Sequence, residues 1–235
     1  MSMLDSLHGL ALTGRISVPT LVDQLLGRAS LERCDERLHW WSRRLVEDAE
    51  IELTVRGSQH GGDGTEPLVV MSNHQSFYDI PVLFCAVPGR LRMVAKKELY
   101  QVPVFGAAMR SAGFIEIDRR NRERAIESLA ESRQLLERGI RVWIAPEGTR
   151  SPSGRLGPFK SGGFHLALSE QVRILPVALD GTREVLPAHG LSVRKGKHVT
   201  ATLLPPIDTR DFGPTRKADL MAAVEAAIRG ALPGA

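Results

Sequence analysis

From Ile51 onward the sequence alternates short apolar runs with helical patterns, and this alternation restricts the fold more than any other feature. The runs are Ile51–Val55, Leu68–Met71, Leu91–Ala95, Phe114–Ile117, Val142–Ala145, Ile174–Leu179 and Val199–Leu204. Between and after them, helical periodicity covers Ile80–Val87, Val104–Ser111, Ala125–Arg138, Gly163–Leu168 and Ala218–Gly230. Strands covered on both faces read as near-continuous apolar runs, and parallel neighbours need crossover helices between them. The pattern therefore predicts one α/β domain over residues 49–235, with a mostly parallel or mixed sheet flanked by helices.

Residues 1–48 read differently, as an N-terminal amphipathic helix pair. Val18, Leu21, Val22, Leu25 and Leu26 recur at helical spacing, with Ser17 and Pro19 as start signals. Leu31, Cys34, Leu38, Trp41 and Leu45 step by three and four, flanked by Arg33, Arg37, Arg43 and Arg44. Such a pair either covers a core or lies in a bilayer interface, with tryptophan at headgroup depth and arginine on anionic phosphate. Both readings stand at this point, on different faces of the helices.

Composition removes several function classes. The longest stretch without Asp, Glu, Lys, Arg or His runs from Leu99 to Met109, and a membrane-spanning helix needs about eighteen apolar residues. Asp5 interrupts any secretory leader pattern. The two cysteines, Cys34 and Cys85, lie in apolar contexts, so neither a disulfide framework nor a zinc site is expected. A cytoplasmic location follows as the expectation. A net charge of +4 suits an anionic small substrate, membrane surface or carrier protein. It is too small to argue for nucleic acid, and no basic stretch has interleaved aromatics for stacking bases. No G-x-S-x-G, Walker A or G-x-G-x-x-G pattern occurs in the context that its chemistry needs.

Three segments remain as candidate sites, each expected at the end of a strand, where α/β sheets collect functional residues. The first is Asn73-His74-Gln75-Ser76-Phe77-Tyr78-Asp79. Residues five apart do not share a helix face, so a contact between His74 and Asp79 requires a turn entering a helix. Asp79 then accepts from one imidazole nitrogen and leaves the other free as a base. The plainer alternative makes His74 a loop histidine and Asp79 a helix cap. The second segment, Glu147-Gly148-Thr149-Arg150-Ser151, joins a carboxylate, a permissive backbone, a hydroxyl and a guanidinium that can grip phosphate. The third is the strand Gly113–Asp118 ending on Arg119. Lys97 and Lys160 are further candidate anion contacts.

In this order the segments resemble the glycerophospholipid acyltransferase family. Asn73, His74 and Asp79 match its N-H-x-x-x-x-D motif, and Gly113, Ile115, Ile117 and Arg119 match its G-x-[IV]-x-[IV]-x-R strand. Glu147 through Ser151 match E-G-T-R-S without change, and Ile174-Leu175-Pro176-Val177 match a hydrophobic strand with a proline step. The resemblance runs from about Trp40 to Leu204. Glu116 departs from it, standing where the family usually carries an aromatic residue, as does Ile144-Ala145 before Pro146.

The resemblance implies transfer of a fatty acyl group from acyl-CoA or acyl-carrier protein to the free hydroxyl of a lysophospholipid, lysophosphatidic acid first among them. It makes His74 the general base and Asp79 the residue that orients it. It assigns Arg119, Glu147, Gly148, Thr149 and Arg150 to the acceptor's glycerol phosphate, with Lys97 and Lys160 as weaker candidates. It implies no metal and no cofactor beyond the thioester co-substrate. Peripheral attachment to the inner face of the cell membrane, through residues 18–46, is expected. Val82, Phe84, Val104, Phe105 and Met109 suit either an acyl-chain channel or ordinary core, and core is the expectation for most of them. The rivals are the same chemistry on glycerol-3-phosphate or a lyso-aminolipid, a non-catalytic lipid- or carrier-binding protein of this fold, and a metal-dependent phosphoester hydrolase built on His74, Asp79 and Glu147.

Overall fold

The computed structural model describes residues 3–118 and 132–233, with Ser128 between them. Helices α1 (Met3–Leu25) and α2 (Leu31–Asp48) come first. Then follow β1 (Glu52–Arg56), β2 (Val69–Ser72), α3 (Asp79–Ala86), β3 (Leu91–Lys96), α4 (Lys97–Tyr100), α5 (Phe105–Ser111) and β4 (Ile115–Ile117). Residues 132–137 are helical. The chain continues through β5 (Arg141–Ile144), α6 (Gly162–Ser169), β6 (Ile174–Asp180), α7 (Thr182–Val185), β7 (His198–Leu203) and α8 (Lys217–Ala231).

The seven strands form one sheet in the order β1-β7-β6-β2-β5-β3-β4. Strands β6, β2, β5, β3 and β4 run parallel, so their carboxyl ends share one edge of the sheet. Strand β7 is antiparallel to β6 and carries β1 parallel to itself. Strand β2 is central, and Val69, Val70 and Met71 have no exposed surface. Its register pairs Val70 with Trp143 of β5 and with Leu175 of β6.

Side chains alternate across the sheet and divide into two cores. Val70, Met93, Trp143, Leu175 and Val177 pack with residues of α1, α2 and α3 on one face. Val69, Met71, Val142, Ile144, Ile174 and Ala178 pack against α6 and α8 on the other. In α8 the buried residues are Leu220, Val224 and Ile228, one per helical turn. Each such side chain contributes roughly 1.5–3 kcal/mol relative to exposure.

The N-terminal segment departs from its sequence reading in where its first helix begins. Helix α1 does not begin near Ser17 but extends from Met3 with Pro19 inside it. The hydroxyls of Thr13, Ser17 and Thr20 each bond the carbonyl four residues earlier. They are therefore satisfied inside the helix rather than capping its start. The stripe that suited either a core or a bilayer faces outward: Val18, Val22, Leu25 and Leu26 are exposed, while Leu12, Ser17 and Thr20 are buried. Leu10 and Leu7 continue the exposed apolar face about two and three turns earlier. Helix α2 follows its predicted pattern, burying Cys34, Leu38 and Leu45. Ser30 caps it by accepting from the Arg33 amide. An ion-pair cluster ties α2 to the sheet: Asp35 accepts from Arg90 at 2.7 Å and from the fully buried Arg92 at 2.6 Å.

Candidate active site

Strand β2 ends at Ser72, and the next six residues form a turn that delivers Asp79 to the first position of α3. This is the turn that contact between residues five apart demands. His74 Nδ1 lies 2.7 Å from Asp79 Oδ2, and the same oxygen accepts the amides of Gln75 at 2.8 Å and Ser76 at 2.9 Å. Asp79 is fully buried. A carboxylate only accepts, so the His74 nitrogen facing it carries the proton and Nε2 is left to take one from an incoming hydroxyl. The other oxygen, Oδ1, accepts from Thr182 Oγ1 of α7 at 2.5 Å. Four donors thus offset the cost of burying this carboxylate.

The loop is bolted to its neighbours on both sides. Asn73 exchanges two hydrogen bonds with the backbone of Leu179 in β6, and Gln75 Nε2 donates to the same carbonyl at 2.7 Å. Ser76 Oγ donates to the Leu186 carbonyl. From β5, the Trp143 ring meets the His74 ring edge-on, with centroids 5.8 Å apart. Trp143 is itself fixed by donating to Ser72 Oγ. No spacing rule ties Trp143 or Thr182 to His74, and sequence reasoning did not single out either one.

Residues 147–151 follow β5, the strand next to β2. Glu147 is buried and accepts the His74 amide through Oε1 and the Gly157 amide through Oε2, both at 2.8 Å. Burial pushes its carboxyl above the ordinary glutamate range, opposed in part by these two bonds. Gly148 has φ 70°, and a Cβ there would lie 2.9 Å from Lys160 Nζ, so the lysine chain lies over this glycine. Thr149 is exposed. Ser151 donates its amide to the His74 carbonyl. The Arg150 guanidinium sits 4.0 Å from the centre of the Phe77 ring, and partial burial lowers its pKa. Lys97, two strands from β2, is bonded to Asp118 at 2.5 Å. Arg119 lies outside the described residues.

Beside the loop opens an apolar cavity of about 640 Å³. Phe77 and Tyr78 line it next to His74, α5 and the segment before it form one wall, and α1 and α2 form the other. Of the five residues named from sequence as channel or core, Val104, Phe105 and Met109 line this space and Val82 and Phe84 do not, so fewer of them are plain core than expected. Val104 also has a positive φ of 64°, unusual for a β-branched residue.

Comparison with known proteins agrees with this architecture. A sequence profile of the Acyltransferase family matches residues 52–180. The 1-acyl-sn-glycerol-3-phosphate acyltransferase alpha of Mus musculus is 37% identical over 165 residues, covering 70% of this chain and 58% of the relative. The chloroplastic enzyme BAT2 of Brassica napus is 32% identical over 167 residues, 71% of this chain and 46% of its own. The chain therefore matches about half the length of these relatives. The crystal structure of the 1-acyl-sn-glycerophosphate (LPA) acyltransferase PlsC from Thermotoga maritima superposes with a TM-score of 0.74. It covers 96% of this chain and 95% of its own, at 24% identity. From the profile across its sheet and site and the identity to these relatives, the chain belongs to the Acyltransferase family.

Proposed function

We propose that the protein transfers a fatty acyl group from an acyl thioester, of coenzyme A or acyl-carrier protein, to the free hydroxyl of lysophosphatidic acid, giving phosphatidic acid. One observation carries this reading: the loop 74–79 that carries the candidate base also lines a chain-sized apolar cavity through Phe77 and Tyr78, and Phe77 lies against Arg150. A substrate with a phosphate, a hydroxyl and a long acyl chain has a counterpart for each part in this loop and the arginine against it. The names borne by the relatives support the same choice.

His74 Nε2 takes the acceptor hydroxyl proton as the oxygen attacks the thioester carbonyl. The imidazolium formed is stabilised by Asp79, and the proton passes to the departing thiolate as the tetrahedral intermediate collapses. General-base help of this kind is worth about 100- to 10,000-fold, and holding both substrates in place supplies the rest. Arg150 is the anchor for phosphate, since the described ion pairs give it no carboxylate partner and it lies against Phe77 of the loop that carries the base. Lys160, lying over Gly148, adds a second cation. Gly148 and Thr149 present backbone and hydroxyl to the same phosphate.

Glu147 serves this site by holding the His74 backbone, because both its oxygens are engaged by amides. That placement, and the full burial of Asp79, leave His74, Asp79 and Glu147 poorly arranged as a metal-ligand set. No cofactor enters the reaction as written.

No helix of the described residues is long and apolar enough to cross a membrane. The exposed face of α1, with Leu7, Leu10, Val18, Val22 and Leu25, lies beside the cavity wall. Resting that face in the inner leaflet of the cell membrane brings the cavity to the lipids it draws on.

The test is thiol release from palmitoyl-CoA and from palmitoyl-carrier protein, with lysophosphatidic acid, glycerol-3-phosphate or a lyso-aminolipid as acceptor, and with products identified by mass spectrometry. Phosphatidic acid formed only with lysophosphatidic acid is the expected result. Preference for another acceptor would move the reading to that acceptor. Release without any acceptor would make the protein a thioesterase.

A further inference from the structure

Three of the four donors on Asp79 come from its own loop and meet Oδ2. The fourth comes from 103 residues away and is the partner of Oδ1: Thr182 Oγ1, on a fully buried residue at the start of α7. We propose that Thr182 is a positioning residue for the His74–Asp79 pair. Its hydroxyl fixes the rotation of the carboxylate so that Oδ2 meets His74 Nδ1, and draws negative charge toward Oδ1 and away from the imidazole. The proposal rests on the reading of His74 as the general base.

The placement of Thr182 is itself determined by the backbone around it. Gly181, at φ 89°, makes the corner between β6 and α7, and a Cβ there would lie 2.2 Å from the His198 carbonyl oxygen. The corner therefore packs directly on β7. The same segment receives Asn73 and Gln75 at Leu179 and Ser76 at Leu186. The catalytic loop and the Thr182 corner thus form one bonded unit, in which a hydroxyl aimed at Oδ1 has little freedom to miss.

Other charges near the pair are Glu147, Arg150 and Lys160 on the β5 side, with Asp180, Arg183 and Glu184 flanking Thr182. Glu147 bonds the His74 amide, Arg183 donates to the Pro152 carbonyl, and Asp180, Arg183 and Glu184 are exposed. Thr182→Val keeps the shape and leaves all of these in place, so the variant isolates the hydroxyl. Without it the carboxylate charge falls more fully on His74, which then binds its proton more tightly. The acid limb of the kcat profile should move to higher pH. Loss of a hydrogen bond to a charged group should lower kcat roughly ten- to a hundredfold.

The experiment compares the graded series Thr182→Ser, Thr182→Cys and Thr182→Val in two readouts. One is the pH dependence of palmitoyl-CoA turnover with lysophosphatidic acid. The other is the titration of the His74 ring by ¹⁵N-histidine NMR, assigned with His74→Ala, which needs no turnover. Serine should retain most of the activity and the titration midpoint. Valine should move both, and cysteine, a weaker donor, should fall between. A titration midpoint unmoved in Cys and Val would overturn the proposal, whether activity stays or falls. His74→Ala that keeps full turnover would instead remove the base reading, and the NMR series would still report on the hydroxyl.

Discussion

The carboxyl edge of the sheet and the N-terminal helix pair solve opposite problems on two sides of one loop. At the sheet edge nearly every polar atom is spoken for: Asp79 has four donors, Glu147 two, and Asn73 a reciprocal pair with Leu179. Between the helices and the sheet there is instead a cavity of about 640 Å³ walled mainly by apolar side chains. Directional bonds hold a proton-transfer geometry to fractions of an ångström. An apolar cavity accepts a flexible chain in many conformations. A reaction joining a small polar centre to a long acyl chain needs both, and the loop 74–79 is where they meet.

The contrast can be attacked first through the tie between the two regions. Asp35→Ala leaves Arg92 buried without its ion-pair partner, and such changes cost about 3–5 kcal/mol. Chemical denaturation should show that loss. A change of a few tenths of a kcal/mol would mean that α2 is not held to the sheet in this way.

The cavity can be narrowed without damaging the fold. A Cβ at Gly14 of α1 meets nothing within 4 Å, and this residue lines the cavity. Gly14→Leu should stabilise the helix by about 0.5–1 kcal/mol, since glycine costs that much inside a helix. It should also lower kcat/KM for palmitoyl-CoA by roughly tenfold, with short-chain donors spared. Equal effects on all chain lengths would separate the cavity from the acyl chain.

Glu147 offers a pH-resolved probe of the polar side. Its folded pKa is raised above the ordinary value of 4.5, so ionisation costs the folded state more than the unfolded one. Stability held at lower pH is therefore lost as pH rises from about 4.5 through the raised value. The Tm advantage of wild type over Glu147→Gln should shrink across that window, as followed by thermal melts. An advantage that grows with pH would contradict the burial argument.

The smallest expected effect on stability lies on the outer face of α1. Val18→Ser with Val22→Ser should change folding stability by about 0.5 kcal/mol or less per site, since both are exposed. The pair should weaken co-sedimentation with anionic vesicles. Unchanged vesicle binding would place membrane contact elsewhere.

How much could be read beforehand differed between the same two regions. Strands such as β2 and β6 were legible because covering both faces leaves one-residue alternation no purpose, and the runs Leu68–Met71 and Ile174–Leu179 fall within a residue of their observed bounds. The contact between His74 and Asp79 was legible as a condition, a turn entering a helix, and the backbone meets it. Which way the stripe of helix α1 faces was not legible, because it looks the same against a core or a bilayer and periodicity carries no sign for inside. Thr182 was invisible for a different reason. Its bond to Asp79 depends on β6 lying beside β2, a pairing of distant segments that no local spacing records.

The most direct test of the central claim is acceptor-dependent thiol release from palmitoyl-CoA by wild type beside His74→Ala, with both proteins shown folded by circular dichroism. The expected result is a loss of about 100- to 10,000-fold in kcat, with the melting temperature nearly unchanged. Turnover in His74→Ala within a few-fold of wild type would contradict the assignment of the base at the end of β2.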